Sequence, residues 1–197
     1  MSIVLASGSM SRKTLLRAAG VAFTADPADL DEDALMAQLH RDGASAERVA
    51  TELATQKALH VSGRHPGQLV LGGDSVIALE GRLLSKCATL DAARALLATM
   101  SGKDHLLVSA AALARDGALL WAHASPCHMS VRRLSPQFLD EYLAAEGTAI
   151  LSSVGCYHFE GRGAQLFDRV QGDYFSVLGL PLLPVLAQLR KEGALPA

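Results

Sequence analysis

The sequence predicts an α/β fold in which a mixed β-sheet is flanked by helices. Short apolar runs of strand length alternate with longer segments whose apolar residues recur at helical spacing. One pair of runs, over residues 105–131, is typical of a long hairpin that turns at Asp116-Gly117. Strand–helix alternation favours parallel neighbours and a hairpin supplies antiparallel ones, so the sheet should be mixed. Because strands and helices interleave without a low-complexity linker or an internal repeat, we expect a single domain over residues 1–197.

The first third of the chain contains two expected strands and three expected helices. Gly20 is a suitable stop for the first helix, and Ser45 is a suitable N-cap for the third. The strands are expected over residues 3–6 and 21–25, and the helices over residues 11–19, 32–42 and 45–62. The first strand therefore leads directly into the loop that precedes the first helix.

The clearest buried strand covers residues 69–74, where three aliphatic residues lead into a glycine pair and an acid. A hairpin is expected to follow over residues 77–84. Ser135 is a suitable N-cap for a helix that starts at Pro136. The later helices are expected over residues 90–100, 136–146 and 181–191, and the later strands over residues 154–157 and 165–170.

Composition excludes several classes of protein. Half of the 197 residues are apolar and the formal net charge is −2, which excludes a disordered chain and a globally basic binder of duplex DNA. We therefore expect no nucleic-acid partner. No apolar run approaches the roughly 18 residues of a membrane span, and the N-terminal sequence lacks the pattern of a secretory signal. The three cysteines are widely spaced, as is typical of reduced thiols, so we expect a cytoplasmic protein with no membrane partner.

Residues 7–13, between the first strand and the first helix, form the first candidate site. A helix N-terminus presents backbone N–H groups and a partial positive charge that suit an anion. The stretch adds three hydroxyl groups and two cations as further phosphate donors, namely Ser7, Ser9, Ser11, Arg12 and Lys13. Its spacing is neither a Walker A loop nor a GxGxxG loop, so an ordinary serine cap beside a solvated Arg–Lys pair stays open as the alternative.

Two groups of carboxylates are candidates for binding a metal or a water molecule. Asp74 should lie just beyond the carboxyl end of a buried strand, where open α/β sheets bind their ligands. A local Asx-turn is the alternative for this residue. In a second acidic group, before the helix at residues 32–42, Glu32 offers a hard oxygen to a divalent metal. Acids in the first turn also complement the helix dipole, so that interpretation stays open as well.

Two lysines and one aromatic segment complete the candidate set. Lys57 lies on an expected helix face and Lys86 follows a short strand, although isolated lysines are usually solvated. Residues 157–163 combine aromatic side chains and glycines with Glu160. That composition suits stacking on a nucleobase and hydrogen bonding to its edge, or alternatively a core strand and a turn.

Taken together and in order, these stretches resemble the Maf family of nucleoside triphosphate pyrophosphatases. The resemblance spans nearly the whole chain and includes residues 5–16, 72–76 and 160–164. The other matching blocks are Asp31-Glu32, Lys57-Ala58, Lys86, Asp91-Ala92-Ala93, Ser101-Gly102 with His105, and residues 172–181. So many blocks in one order are far more specific than any one of them.

The resemblance implies a fold like that of inosine triphosphate pyrophosphatases, with two lobes around a central cleft. It implies hydrolysis of a nucleoside triphosphate between its α and β phosphates, with Mg²⁺ or Mn²⁺ as cofactor, and it suggests a homodimer. Asp74 would be the general base, Lys86 a catalytic cation, and Glu32 with Asp74 the metal ligands. The residues that would bind substrate are Ser7, Ser9, Arg12, Lys13, Lys57, Ser75 and Glu160.

The sequence also departs from the pyrimidine-preferring branch of that family. Residues 152–155 are Ser-Ser-Val-Gly where that branch has Asp-Lys-Ala-Gly, and Glu160 stands in place of a glutamine. The sequence departs from the pattern of the whole family as well: residues 9–12 are Ser-Met-Ser-Arg in place of the usual Ser-Pro-Arg-Arg, and Cys87 replaces the usual proline after Lys86. A carboxylate only accepts hydrogen bonds, so Glu160 suits the N1–H and 2-amino groups of guanine and a positively charged methylated base. The absence of that lysine and the presence of Glu160 resemble the branch of the family that prefers 7-methyl-GTP, and this resemblance implies removal of a modified nucleotide such as 7-methyl-GTP.

Other functions stay open at this point. One is a pyrophosphatase of broad or pyrimidine specificity that acts on dTTP or UTP. Another is a nucleotide-binding regulator of cell division with little catalysis. A Rossmann oxidoreductase is disfavoured, because no GxGxxG follows the first strand.

Overall fold

The structure is a computed structural model that describes residues 2–196, and it confirms a mixed α/β architecture. Within those residues the strands are β1 (Ile3–Ala6), β2 (Phe23–Ala25), β3 (Val70–Leu79), β4 (Arg82–Leu83), β5 (Asp104–Arg115), β6 (Ala118–Val131) and β7 (Phe167–Gln171). The helices are α1 (Met10–Ala18), α2 (Glu32–Arg41), α3 (Ala46–Ser62), α4 (Leu90–Met100), α5 (Pro136–Glu146), α6 (Tyr174–Val177) and α7 (Leu182–Lys191). Short 3₁₀ helices cover Gly147–Ser152 and Arg162–Leu166.

The described chain divides into two compact units, and each of β3, β5 and β6 contributes residues to both. Unit 1 comprises residues 2–75, 108–126 and 173–196, and unit 2 comprises residues 76–107 and 127–172. The expectation of one domain stays a prediction.

In unit 1, β1 is the centre of a parallel arrangement and is buried on both faces. It pairs in parallel with β2 and with β3. Ile3 and Leu5 belong to an apolar cluster with residues of α1 and α7, whereas Val4 and Ala6 pack with Val61 of α3. A strand that is covered on both faces needs apolar residues at every position, which explains the continuous apolar run.

Unit 2 combines short antiparallel pairings with a helical layer. The end of β3 pairs with β4, and β7 pairs with the end of β6. Helix α4 packs against α5 through buried residues that recur at helical spacing. The buried rings of His105 and Tyr157 pack with the half-buried ring of Phe167, and His105 Nε2 lies 3.0 Å from the Tyr157 hydroxyl.

The strand expected over residues 154–157 is wrong, because residues 154 and 155 form a turn, residue 156 a bend, and residue 157 lies outside any regular element. Cys156 has a φ of 55°, a left-handed conformation that cannot continue a strand. The Tyr142 hydroxyl donates to the Cys156 carbonyl at 3.2 Å, which satisfies this backbone oxygen without a strand partner. The next expected strand begins later, at Phe167, because a 3₁₀ helix occupies the preceding residues.

Most other expected elements are confirmed, including the hairpin turn at Asp116-Gly117, where both residues have positive φ. Helix α6 was not anticipated from the sequence. No helix within residues 2–196 has the length and apolarity that crossing a membrane requires.

Candidate functional site

The N-terminal end of α1 is built around the side chain of Arg12. Ser9 caps the helix by accepting from the Arg12 backbone N–H at 3.4 Å. The guanidinium donates from Nη1 to Ser7 Oγ at 3.1 Å, from Nη2 to Ser75 Oγ at 3.0 Å and from Nε to the Gly179 carbonyl at 2.8 Å. These bonds use three of the five N–H donors of a guanidinium, so two can still be offered to a ligand.

The charge of Arg12 is poorly compensated by its immediate neighbours. Its three bonded partners are neutral oxygen atoms, although only 8% of the residue is exposed. Burial lowers the pKa of Arg12, while the charges of Asp74 and Glu32 raise it. A buried cation is costly unless it is paired, so an anion bound here would supply the compensation that the serines do not.

Asp74 lies within β3, and the expectation that it follows the end of this strand is wrong. The strand continues from Val70 through the glycine pair to Leu79. The pairing of β1 with β3, however, ends at Ala6 and Gly72. Asp74 therefore lies two residues past the last pair, at the carboxyl end of β1 rather than of its own strand.

Gly72 explains why the glycine pair does not end the strand. A Cβ atom on Gly72 would overlap the Ala54 carbonyl oxygen and lie 2.7 Å from the Ala58 nitrogen, both in α3. The missing side chain thus lets α3 approach β3 closely. Asp74 faces the same side of the strand as Gly72, because side chains alternate with a period of two. Lys57, on this part of α3, consequently reaches Asp74, and its Nζ lies 2.5 Å from Oδ1.

Lys57 joins two of the predicted acids. Its Nζ also lies 2.8 Å from Glu32 Oε2, at the first residue of α2. Lys57 and Asp74 are both buried, whereas the Glu32 side chain is about half exposed. The structure therefore brings Glu32, Lys57 and Asp74 together around one ammonium group.

The opposite side of β3 faces Arg12. A Cβ atom on Gly73 would lie 3.1 Å from Arg12 Nε, and Ser75 accepts from Arg12 Nη2. Adjacent residues of one strand thus contact different cations: Asp74 contacts Lys57 on one face and Ser75 contacts Arg12 on the other.

Glu32 and Asp74 offer a restricted set of donors to a metal. Across residues 2–196, no three side chains of the types His, Cys, Asp and Glu are grouped in a way that could hold a metal ion. Two carboxylates that share one cation are nevertheless a donor set that suits Mg²⁺, which is commonly held by one or two carboxylates and by substrate phosphates. The residues present therefore fit a metal that binds together with a phosphate, and not a cage built from protein alone.

The remaining candidates are distributed over both units. Lys13, in unit 1, is half-buried next to Arg12 on α1. Lys86 and Glu160 belong to unit 2, where both are exposed.

Sequence reasoning missed Ser109, Ser176 and the Gly179 carbonyl, which are hydrogen-bonded around Arg12 and Ser75. The signal available for Ser109 was a single hydroxyl in the otherwise apolar run of residues 106–114. A backbone carbonyl such as that of Gly179 leaves no signal in a sequence.

Matches were found among family models, curated relatives and solved structures. A family model described as Maf-like protein matches residues 2–192. The 7-methyl-GTP pyrophosphatase of Mesorhizobium japonicum is 49% identical over 193 residues, which cover 98% of this chain and 97% of that protein. The nucleoside triphosphate pyrophosphatase of Granulibacter bethesdensis is 46% identical over 196 residues, which cover 99% of each chain. Among solved structures, a HAM1 protein from Coxiella burnetii matches with a TM-score of 0.45 and 21% identity, over 68% of this chain and 74% of that one.

Proposed function

The chain belongs to the Maf-like protein family, and on that premise we propose that it hydrolyses a nucleoside triphosphate to a nucleoside monophosphate and pyrophosphate. The observation that carries the proposal is the placement of two buried cations, Arg12 and Lys57, on either face of the strand that holds Asp74. A triphosphate is a polyanion: it would supply the negative charge that the bonded partners of Arg12 lack, and it would compete with Glu32 and Asp74 for Lys57.

Arg12 is suited to bind a phosphate group through two oxygens. Three of its five donors are already bonded to protein: Nε to Gly179, one hydrogen on Nη1 to Ser7, and one on Nη2 to Ser75. One donor remains on each Nη, and both can donate charge-assisted hydrogen bonds to phosphate oxygens. Ser9 and Lys13, in the same turn of α1, are proposed as further phosphate ligands.

Lys57 presents a compact positive charge, for which substrate phosphates compete with two carboxylates. In the free protein its ammonium bonds Glu32 and Asp74. Phosphate oxygens that approach the ammonium compete for its three N–H donors. Substrate binding would thereby loosen the hold of Lys57 on Asp74 and free that carboxylate to accept a proton.

Asp74 is proposed as the general base. Water attacks the α-phosphorus, the bond from this phosphorus to the oxygen that bridges to the β-phosphate breaks, and pyrophosphate leaves. The proton of the attacking water passes to an oxygen of Asp74. Phosphoryl transfer requires little covalent chemistry from a protein, so positioning and charge stabilisation by Arg12 and Lys57 carry most of the effect.

A divalent cation, Mg²⁺ or Mn²⁺, is proposed as the cofactor, with Glu32 and Asp74 as its protein ligands. When bound, it would supply positive charge to the phosphate oxygens. Changing Glu32 to Gln should raise the Mg²⁺ concentration for half-maximal activity about tenfold, because one charged ligand is lost. An unchanged metal requirement in Glu32→Gln would remove Glu32 from the metal site.

For the base, we propose a preference for 7-methyl-GTP that depends on Glu160. The support is the acceptor chemistry of a carboxylate and the name carried by the relative from Mesorhizobium japonicum. Lys86 stays a prediction as a further catalytic cation.

We further propose a homodimer that works in the cytoplasm without a nucleic-acid partner. The net charge of −2 supports the last point, since nonspecific nucleic-acid binding depends on basic surface. Light scattering coupled to size-exclusion chromatography measures the mass, for which a monomer has 20.7 kDa.

Pyrophosphate release from 7-methyl-GTP, GTP, UTP and dTTP, each with and without Mg²⁺ or Mn²⁺, tests these proposals. We expect metal-dependent release that is fastest with 7-methyl-GTP. Fastest release from UTP or dTTP would keep the reaction and overturn the base preference. Nucleotide binding without release would overturn the reaction in favour of a binding protein.

A further inference from the structure

A chain of buried hydroxyl groups extends from Arg12 into the core of unit 1. Arg12 Nη2 donates to Ser75 Oγ, which lies 2.8 Å from Ser109 Oγ, and Ser109 Oγ donates to the Ser176 carbonyl at 2.7 Å. A hydroxyl has one hydrogen, and a carbonyl can only accept. Since the hydrogen of Ser109 goes to Ser176, the hydrogen of Ser75 must go to Ser109. The donors therefore all point one way, from Arg12 towards Ser176.

The chain closes into a ring through the segment after α6. The Ser176 carbonyl also accepts from the Gly179 backbone N–H at 3.0 Å, and the Gly179 carbonyl accepts from Arg12 Nε at 2.8 Å. Asp173 fixes the start of this segment, because its Oδ2 accepts from both the N–H and the hydroxyl of Ser176 at 2.7 Å. Two edges of the guanidinium, Nε and Nη2, are thus held by groups that meet at Ser109 and Ser176.

We propose that Ser109 is a positioning residue for Arg12, an inference that rests on the proposed function of Arg12 in binding phosphate. Ser109 is fully buried, and its hydroxyl is bonded to Ser75 and to the Ser176 carbonyl rather than to Arg12 itself. It acts through Ser75 on one side and through the Ser176–Gly179 turn on the other. When the Ser109 hydroxyl is removed, the hydroxyl of Ser75 can rotate away and the Ser176 carbonyl loses one hydrogen bond. The bonds from Arg12 to Ser75 and to Gly179 therefore weaken together.

The first test is a double-mutant cycle on pyrophosphate release. Ser109→Ala should lower kcat/KM roughly 10- to 100-fold, since small misplacements of a binding group have effects of this size. In an Arg12→Lys background, which lacks the oriented guanidinium, the same change should lower it less than about twofold, because coupled residues are not additive. Equal losses in the two backgrounds would show that Ser109 acts on the fold in general and would overturn the proposal.

Ser62→Ala is the matched control. Ser62 is also fully buried in unit 1, and its Oγ accepts from the Gly117 N–H at 2.7 Å, in a turn outside the ring. Its loss should change kcat/KM less than about twofold even if stability falls. If Ser109→Ala does not fold, Ser109→Cys fills the same space with a much weaker donor and should show the same coupling to Arg12.

A second readout is independent of catalysis. The ¹⁵Nε–¹Hε resonance of Arg12, assigned by its absence in Arg12→Lys, reports the bond to Gly179. Its hydrogen exchange with solvent should accelerate at least tenfold in Ser109→Ala and stay as in the wild type in Ser62→Ala. Faster exchange in a protein that releases no pyrophosphate from any nucleotide would support the ring while the proposed function fails. Unchanged exchange would overturn the role of Ser109.

Discussion

Lys57 Nζ lies 2.5 Å from Asp74 Oδ1 and holds the proposed base in a buried ion pair. Glu32 Oε2 lies 2.8 Å from the same ammonium, so Lys57 has a second carboxylate partner besides Asp74. Breaking a buried pair from one side usually leaves an uncompensated charge. Here the second acid reduces that penalty, which makes the function of Asp74 testable without loss of the fold.

Changing Asp74 to Asn should abolish most of the turnover and leave the protein folded. The amide cannot take the proton of the attacking water, and general-base catalysis is worth roughly 10²- to 10⁴-fold. Lys57 keeps Glu32 as its partner, so circular dichroism should be unchanged. Asp26→Asn is the control, because it neutralises another ion-paired acid of unit 1, bonded to Arg64 and His65. Pyrophosphate release by Asp74→Asn at the rate of Asp26→Asn would exclude Asp74 as the base.

Adding one methyl group at Gly72 should damage both stability and activity. The new Cβ would overlap the backbone of α3 at Ala54 and Ala58, which cannot move as a flexible side chain can. We expect Gly72→Ala to reduce the free energy of unfolding by about 1–3 kcal/mol, the usual range for overpacking. Because α3 carries Lys57, kcat should fall as well.

Gly63→Ala provides the comparison for that substitution. Gly63 is the C-cap of the same helix, and a Cβ atom there would meet only the His60 carbonyl at 3.9 Å, an ordinary contact. Urea denaturation should therefore show no loss of stability for Gly63→Ala. Equal midpoints for the two variants would contradict the close approach of α3 to β3.

Glu160→Gln should reduce the discrimination between purine and pyrimidine substrates. A neutral amide no longer favours a positively charged base, and its NH₂ group can donate to carbonyl oxygens such as those of uracil. The ratio of kcat/KM for 7-methyl-GTP to that for UTP should fall about tenfold, the effect of one charge-assisted hydrogen bond. Glu141→Gln, on α5 of the same unit, should leave the ratio unchanged. An unaltered ratio in Glu160→Gln would assign base selection to other residues.

The stability of the protein should decrease on acidification because of His105. Burial lowers the pKa of His105 from 6.5 to about 4, and its Nδ1 has no hydrogen-bond partner within residues 2–196. The unfolded chain therefore binds a proton between pH 6.5 and pH 4 that the folded chain does not. The free energy of unfolding therefore decreases as the pH falls through this window, and the decrease is complete below pH 4. A difference of 6.5 − 4 = 2.5 pKa units corresponds to about 3 kcal/mol.

Urea denaturation at pH 7 and at pH 4.5 measures this loss. His105→Phe keeps an aromatic ring beside Tyr157 and Phe167 but cannot titrate, so the difference between its two midpoints should be smaller. An equal difference in wild type and His105→Phe would assign the acid sensitivity to other groups.

The sequence predicted the helices and strands better than it predicted the geometry of the candidate site. Apolar periodicity and caps such as Ser45 and Ser135 located the helices, since both signals are local. The end of β3 could not be predicted, because a glycine pair looks like a turn unless the helix packed on it is known. The bond of Lys57 to Asp74 and Glu32 joins residues far apart in the chain, and only the folded arrangement reveals it.

The alternation of β3 also constrains how this protein can evolve. Asp74 and Ser75 are consecutive but face opposite sides, so a deletion of one residue shortly before them would exchange the faces that they occupy. Asp74 would then face Arg12, and Lys57 would meet a hydroxyl. A change of two residues would restore the faces but move Asp74 about 7 Å along the strand and away from Lys57, so this segment should tolerate no change of length, whereas surface turns such as the one at Asp116 carry no such constraint.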